Sequence, residues 1–384
     1  MANMQSKKYF AGVDIGGTKA AAVVVEVTGQ DLEMISPNSI ELPSEVNRGP
    51  DHVVNEVIPN VLKEALRQAG ELSIAALRGI GVGFPAPISN TGVILSKANM
   101  GRDEWQGFNP KSAIEQMLEQ RRDFWLSANG ASSANQLFSG GVHVFNDAEA
   151  TTLGLVTDQL LPDQRKDTVI GLYVGTGLGG SIMRDGKLSR NAGGGSEPGA
   201  LLQYLDEDAI LLGTSDIPRE RHLEDFVSLV AIERQLQKMD EAGVIPKGHE
   251  LLKVEATDLK SEWRARAEKL IGYAVKAFDR GEMEDWTLRP FRVQTMALGS
   301  ALSNLIEVGR PKHIFIGGGI SELGRVNPRF RDWYRDSIKD VANDRMRHEL
   351  RRRLGFPNFL SPEKGDAAAA FGAAAGAASE ERNR

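Results

Sequence analysis

The sequence predicts an α/β protein built as two duplicated lobes, and three observations carry that reading. Segments patterned as strands alternate with segments patterned as helices through the first half of the chain. A strand, a glycine turn and a second strand occur twice, at 9–27 and again at 168–188, about 160 residues apart, and self-similarity of this kind reports architecture. The chain of 384 residues, 41% of them hydrophobic, exceeds what one core usually fills, so two lobes are expected.

Taken in order, residues 9–27 read as a short apolar strand, a turn at Gly16 and Gly17, and the β-branched strand "AAAVVVEV". The segment "DHVVNEVIPNVLKEALRQAG" has helical apolar spacing and stops at Gly70. "IGVGFPAP" then reads as a buried strand entering a proline turn. "SAIEQMLEQ" is helical, "VHVF" a strand, "AEATTLGLVTD" helical and "TVIGLYVG" a strand. Residues 201–305 read as mostly polar and helical, the solvated helices of a larger lobe. The arginine-rich "DRMRHELRRRLG" takes the same reading, given the acidic total.

Lys+Arg number 46 against 52 Asp+Glu, which leaves no electrostatic footprint for nucleic acid or an anionic membrane and favours a small-molecule substrate. The longest apolar runs, such as "AAAVVV", are too short for a membrane span. Asp14 arrives before any signal-peptide core could form, so a cytoplasmic protein is expected. Cysteine is absent, which removes disulfides, thiolate nucleophiles and cysteine-based zinc sites together.

Gly175, Gly177 and Gly180 match the spacing of a dinucleotide fingerprint, but that fold needs a helix after its glycines. "SIMRDGKL" reads instead as a strand and a turn, so a dehydrogenase is set aside. A glycine-rich hairpin tip can bring backbone N–H groups against phosphate oxygens with no side chain in the way. Three glycine clusters follow apolar strands: "VDIGGTK", "VGTGLGG" and "IFIGGGIS". In order and spacing they resemble the phosphate, second phosphate and adenosine segments of the sugar-kinase branch of the actin-like ATPase fold. With "GVGFPAPISNTG", "FNDAEATTLGL", "GSEPG", "ALGSALSNLIEVGRPKHIFIGGGIS" and "GDAAAAFGAAAGA", the chain resembles the ROK family of sugar kinases nearly end to end.

The resemblance implies two actin-like (ribonuclease H-like) domains, a smaller one at 1–145 and a larger one at 146–384, with a cleft between them. The final helix, about 366–384, would pack back on the first domain, and residues 85–89 would lie near the hinge. It further implies phosphoryl transfer from ATP to a hexose hydroxyl, glucose or a related sugar, with Mg2+ as cofactor. Gly16, Gly17, Thr18 and Lys19, then Gly175, Thr176, Gly177 and Gly179, would hold phosphates, and Gly317, Gly318 and Gly319 would border the adenosine. Asp14 resembles the carboxylate that holds magnesium through water; by itself it is equally a turn-capping residue. Asp147 occupies the place of the family's general base, against the plainer reading of a helix N-cap. Asn146, Glu197, Glu224 and Asn99 would contact the sugar, although exposed glutamates are common and often only solvated.

In most ROK kinases the glutamate at 197 is followed three residues later by a histidine, and then by cysteines, which together bind a structural zinc. This chain has Ala200 there and no cysteine, so no structural zinc is expected and the identity of the sugar is left open. His222 beside Glu224 is a candidate replacement for that histidine or simply a surface residue. The alternative function is a sugar sensor without turnover, since the family includes repressors; those carry a DNA-binding domain ahead of the first glycine loop, where this chain has about a dozen residues. Family members are commonly dimers, which implies a homodimer.

Overall fold

A computed structural model describes residues 7–29, 31–36, 40–70, 72, 76–97, 100–121, 140–190, 196–213, 219–255, 261–283, 285–319, 327–346, 356–360 and 367–382. The chain forms two compact units, Met1–Asp167 with Ser181–Ser196 and Pro362–Arg384, and Thr168–Gly180 with Glu197–Ser361.

In the first unit, β1 (Lys8–Ile15), β2 (Lys19–Thr28), β3 (Asp31–Met34), β4 (Ile40–Pro43), β5 (Leu77–Phe84) and β6 (Gly141–Asn146) form one sheet in the order β3-β2-β1-β5-β6, with β4 also paired to β2. β1 and β2 are antiparallel about the Gly16–Thr18 turn, while β1, β5 and β6 run parallel, so their carboxyl ends align. The β2 run from Ala20 to Val25 is wholly apolar because both of its faces are covered. Ala20, Ala22 and Val24 pack with helix α1 (Ile58–Gln68), and Val23 and Val25 pack with Ala370, Phe371 and Ala374. The helix expected over 51–70 carries a π-helical stretch, Val53–Val57, before α1, and Gly70 closes it at φ 88°.

Between β5 and β6 lies α2 (Pro110–Gln120), and β6 runs directly into α3 (Asp147–Gln159). A Cβ on Gly81 would overlap the Ala373 carbonyl, and one on Gly12 the Ala370 carbonyl. Gly154 and Gly372 likewise meet the carbonyls of Ala368 and Ala150. Small residues on both sides therefore let the terminal helix of the first unit lie at backbone distance on β1, β5 and α3.

In the second unit, β7 (Val169–Val174) leads through Gly175–Gly177 to β8 (Leu178–Arg184), whose residues from Ser181 on belong to the first unit with β9 (Lys187–Leu188). With the strands β12 (His313–Gly318) and β13 (Asn358–Leu360), the order is β13-β12-β7-β8-β9, and β12 is parallel to both neighbours, β7 and β13. Helices α4 (Leu229–Glu241), α5 (Glu262–Asp279), α6 (Arg289–Gly309) and α7 (Pro328–Arg345) belong to this unit, and α8 (Ala367–Arg382) is the terminal helix of the first. The polar, helical reading of 201–305 needs one correction: β10 (Leu202–Leu205) and β11 (Arg219–His222) pair antiparallel. Four-residue strands as polar as "RERH" give too short a pattern to register as period two. No helix among the described residues is long and apolar enough to cross a membrane.

Candidate active site

The parallel strands of the first unit bring Asp14, Gly83 and Asn146 to one end of the sheet. Asp14 is opposite Gly83 in the β1–β5 register, and Phe84 is opposite Asn146 in the β5–β6 register. Ligands in open α/β sheets bind at such carboxyl ends. Three residues meet at Gly83: a Cβ there would lie 3.4 Å from Asp14 Oδ1, 3.5 Å from the Ala150 Cβ and 3.8 Å from the Asp147 Cα. Asp14 and Asp147 thus flank the one position in this row that has no side chain.

Asn146, and not Asp147, is the N-cap of α3. Its Oδ1 accepts the Ala148 N–H at 3.0 Å and the Glu149 N–H at 3.4 Å, while its Nδ2 donates to the Ala86 carbonyl at 3.1 Å. The same amide therefore starts the helix and ties down the loop that begins at Pro85, after β5. Glu149 completes a capping box by accepting the Asn146 N–H at 3.1 Å.

With capping assigned to Asn146, Asp147 is the first residue of the helix. Its Oδ1 accepts the Ala148 N–H at 2.7 Å. The residue keeps part of its surface accessible, but protein encloses the carboxylate and burial pushes its pKa up to about 6. Hydrogen bonds from the Ala148 and Asp147 backbone and from the Asn146 side chain oppose that rise; the nearby Glu149 charge adds to it. A carboxylate that is ionised at neutral pH and yet more basic than usual is suited to take a proton from an alcohol.

The two glycine turns are built differently. At the first, the Gly16 N–H donates to the Lys19 carbonyl at 2.8 Å, and the Lys19 ammonium is 2.8 Å from Glu41 on the paired strand β4. At the second, the Gly175 N–H donates to the Gly177 carbonyl at 2.9 Å, and the Gly175 carbonyl accepts the Leu229 N–H at 3.0 Å. The Arg264 guanidinium donates to Thr176 Oγ1 at 3.0 Å while pairing with Glu233 at 2.9 Å. Gly17 and Gly175 both have ordinary negative-side φ and no atom within 4 Å of a built Cβ, so packing does not explain either glycine. An open approach to the backbone does. Gly318 is different, because its φ of 91° and its press against Val174 give it a packing reason of its own; Gly317 is opposite Tyr173 in the sheet, and Gly319 follows the strand.

Glu224 opens the short helix Glu224–Val227 and reaches the second turn, where its Oε1 accepts the Leu178 N–H at 3.2 Å. Gly199 lies against the same side chain, since a Cβ there would be 3.5 Å from Glu224 Oε2. Glu197 is exposed and precedes the 3-10 turn Pro198–Ala200. The His222 ring meets the Ala200 carbonyl through Nδ1 at 3.0 Å. Asn99 lies outside the described residues, and Gly179 is the second residue of β8. Sequence reading did not single out Arg190 or Arg264, whose partners come from distant segments, nor Glu149, for which the Asn-x-x-Glu capping-box spacing was the available signal.

No described group of three or more His, Asp or Glu residues gathers as a metal cage. A magnesium ion held by one carboxylate and waters needs no such cage. Asp14, at the carboxyl end of β1 beside Gly83, supplies a single carboxylate of that kind. For a nucleotide, the side-chain-free backbone at Gly17 and Gly175 fits phosphate oxygens.

A family model described as "ROK family" matches residues 10–380. A glucokinase of Thermotoga maritima is 23% identical over 323 residues, covering 82% of this chain and 83% of its own. Among solved structures, a ROK hexokinase from Thermus thermophilus is 21% identical with a TM-score of 0.63, covering 98% of this chain and 100% of that one. A ROK family glucokinase from Streptomyces griseus, solved with glucose and AMPPNP, is 23% identical with a TM-score of 0.58, covering 95% and 98%.

Proposed function

Because this chain belongs to the ROK family, we propose that it is a sugar kinase that transfers the terminal phosphoryl group of ATP to a hydroxyl of a hexose, glucose or a related sugar. The observation that carries the mechanism is Asp147 beside Asp14 across Gly83, with a carboxylate more basic than a solvated one. Asp147 accepts the proton of the attacking sugar hydroxyl as its oxygen bonds to phosphorus and the bond to the ADP oxygen breaks. Asn146 orients that sugar through its second amide proton, since one is already given to Ala86. Glu197 and Glu224 accept hydrogen bonds from sugar hydroxyls, and Glu224 also steadies the turn through Leu178.

Asp14 would hold the magnesium ion through water, and the ion would supply charge neutralisation on the phosphate oxygens. The amides of Gly17 and Thr18 in the first turn and of Thr176 and Gly177 in the second bind phosphate oxygens, those of Gly16, Gly175 and Leu178 being already donated to Lys19, Gly177 and Glu224, and the Thr176 hydroxyl, already accepting from Arg264, has its proton left to donate. Lys19 contributes less than its position in sequence suggests, because Glu41 holds its ammonium.

The test is ADP release coupled to a panel of hexoses and amino sugars. Wild-type protein is expected to turn over at least one sugar, and Asp147→Asn to lose roughly 10²–10⁴-fold in kcat with sugar binding retained. Sugar binding by the wild type without ADP release would replace this reading with a sensor.

A further inference from the structure

Five interactions converge on residues 144–149, and none of them is made by the atoms that would do the chemistry. The Glu149 carboxylate is 2% exposed. Its Oε1 accepts Arg190 Nε at 2.8 Å, its Oε2 accepts Arg190 Nη2, and Oε2 also takes the Asn146 backbone N–H at 3.1 Å. Arg190 Nη2 donates in addition to the Val144 carbonyl at 3.4 Å, and the guanidinium lies 5.0 Å over the centre of the Phe145 ring. Arg190 comes from the segment after β9, while every partner lies on the end of β6 or the first turn of α3. Val144, Phe145, Asn146 and Glu149 are therefore gripped on both sides of Asp147, whose own carboxylate points elsewhere, to the Ala148 N–H.

A bidentate guanidinium–carboxylate pair fixes distance and orientation together. Burying such a pair brings little net stability relative to an apolar pair of the same volume, so stability alone does not account for it. What the pair does uniquely is lock the junction of strand and helix where Asp147 begins.

We propose that Arg190, acting through Glu149, is a positioning residue for Asp147 in phosphoryl transfer. The proposal rests on Asp147 being the proton acceptor. Loss of the guanidinium lets the strand–helix junction relax, and a general base displaced by about 1 Å loses on the order of 10²-fold in rate. Nucleotide binding, which uses other segments, is left nearly as it was, and sugar binding weakens less than kcat because Asn146, in the same junction, keeps its amide bond to the Ala86 carbonyl.

The experiment compares wild type with Arg190→Lys, Arg190→Met, Glu149→Gln, the double variant Arg190→Met/Glu149→Gln and Asp147→Asn. For each, kcat, both KM values and Tm are measured. Arg190→Met is expected to lower kcat by roughly 10–100-fold with the KM for ATP within about 3-fold and the KM for the sugar raised by less than the fall in kcat, and Arg190→Lys to recover part of that loss. The double variant leaves no stranded charge, so it is expected to regain Tm but not kcat; it also keeps the test readable if Arg190→Met folds poorly. Full recovery of kcat alongside Tm in the double variant, or KM effects as large as the kcat effect, overturns the proposal. If Asp147→Asn abolishes turnover while the double variant is as active as wild type, positioning fails and the base assignment stands. If Asp147→Asn keeps wild-type kcat, the base assignment itself fails.

Discussion

The two strand–glycine turn–strand ribbons share a plan and differ in their chemistry. In each unit a strand entering a glycine turn runs parallel to a neighbour that places a glycine beside its penultimate residue: Gly83 beside Asp14 in the first, Gly317 beside Tyr173 in the second. The first thus has an acid where the second has a phenol. The first unit also carries Asp147, whereas the second turn offers backbone amides and the Thr176 hydroxyl, braced by Leu229, Arg264 and Glu224. Repetition of the ribbon preserves the open backbone at Gly17 and Gly175, while Asp14 and Asp147 belong to the first unit alone. On the proposed function, the shared architecture would serve anion binding in both units, and the unshared side chains would decide which unit handles the proton and the metal ion.

The largest expected effect breaks the symmetry directly. Asp14→Asn should lower kcat by at least about 10²-fold, with the loss eased by raised magnesium concentration, because the carboxylate charge would be needed to hold the ion. Tyr173→Phe, at the matching position, should change kcat by less than about 3-fold. A steady-state comparison at several magnesium concentrations checks both; equal losses in the two variants would mean that the ribbons are not chemically distinct.

The next effects separate glycines that serve a ligand from glycines that serve the fold. Gly17→Ala and Gly175→Ala meet open space, so Tm should stay within about 1 °C while the KM for ATP rises roughly 30-fold, as obstructed charge-assisted hydrogen bonds would give. Gly81→Ala drives its Cβ into the Ala373 carbonyl and should cost about 1–3 kcal/mol or more, read as lowered Tm with the KM for ATP little changed among folded molecules. Thr176→Val is smaller and specific to the second turn: roughly a 10-fold rise in the KM for ATP, the loss of one hydrogen bond to a charged group, with kcat largely kept.

Much of this was legible in the sequence, for reasons that particular residues display. The run from Ala20 to Val25 reads as strand because β-branched residues can satisfy two covered faces at once, and the packing of the terminal helix came from the resemblance, in keeping with its lack of polar residues from Ala367 to Ala378. Asp147 was legible as a residue between a strand and a helix, but its division of labour with Asn146 was not, because capping depends on which of two adjacent side chains folds back. The Glu149–Arg190 pair carries no local signal at all, since its partners meet only when β9 and α3 are in place. Glu224 and Leu178 are likewise joined by tertiary structure, as a carboxylate on an amide that no spacing rule connects. Periodicity finds what repeats along the chain; long-range hydrogen bonds do not repeat.

The smallest effect bears on the cost of placing a base in the first unit only. Asp147 titrates near 6 in the folded protein against an ordinary value of 3.8, so the folded state binds more protons than the unfolded chain between about pH 4 and pH 6. Stability contributed by this residue therefore falls as pH rises through that window, and above about 6 the full cost of an ionised, enclosed carboxylate is present. Asp147→Asn removes the cost: its Tm should exceed the wild-type value by of order 1–2 °C at pH 7.5, and the difference should vanish near pH 4. Catalysis has the opposite sign, because only the ionised form accepts a proton, so kcat/KM should drop about tenfold per pH unit below about 6. Differential scanning fluorimetry of both proteins across pH 4–8, alongside the wild-type pH–rate profile, checks the pair of expectations. A Tm difference that does not change with pH, or an acid limb near 4, would mean that the enclosure of Asp147 does not raise its basicity, and the first unit would then have no more claim to the proton than the second.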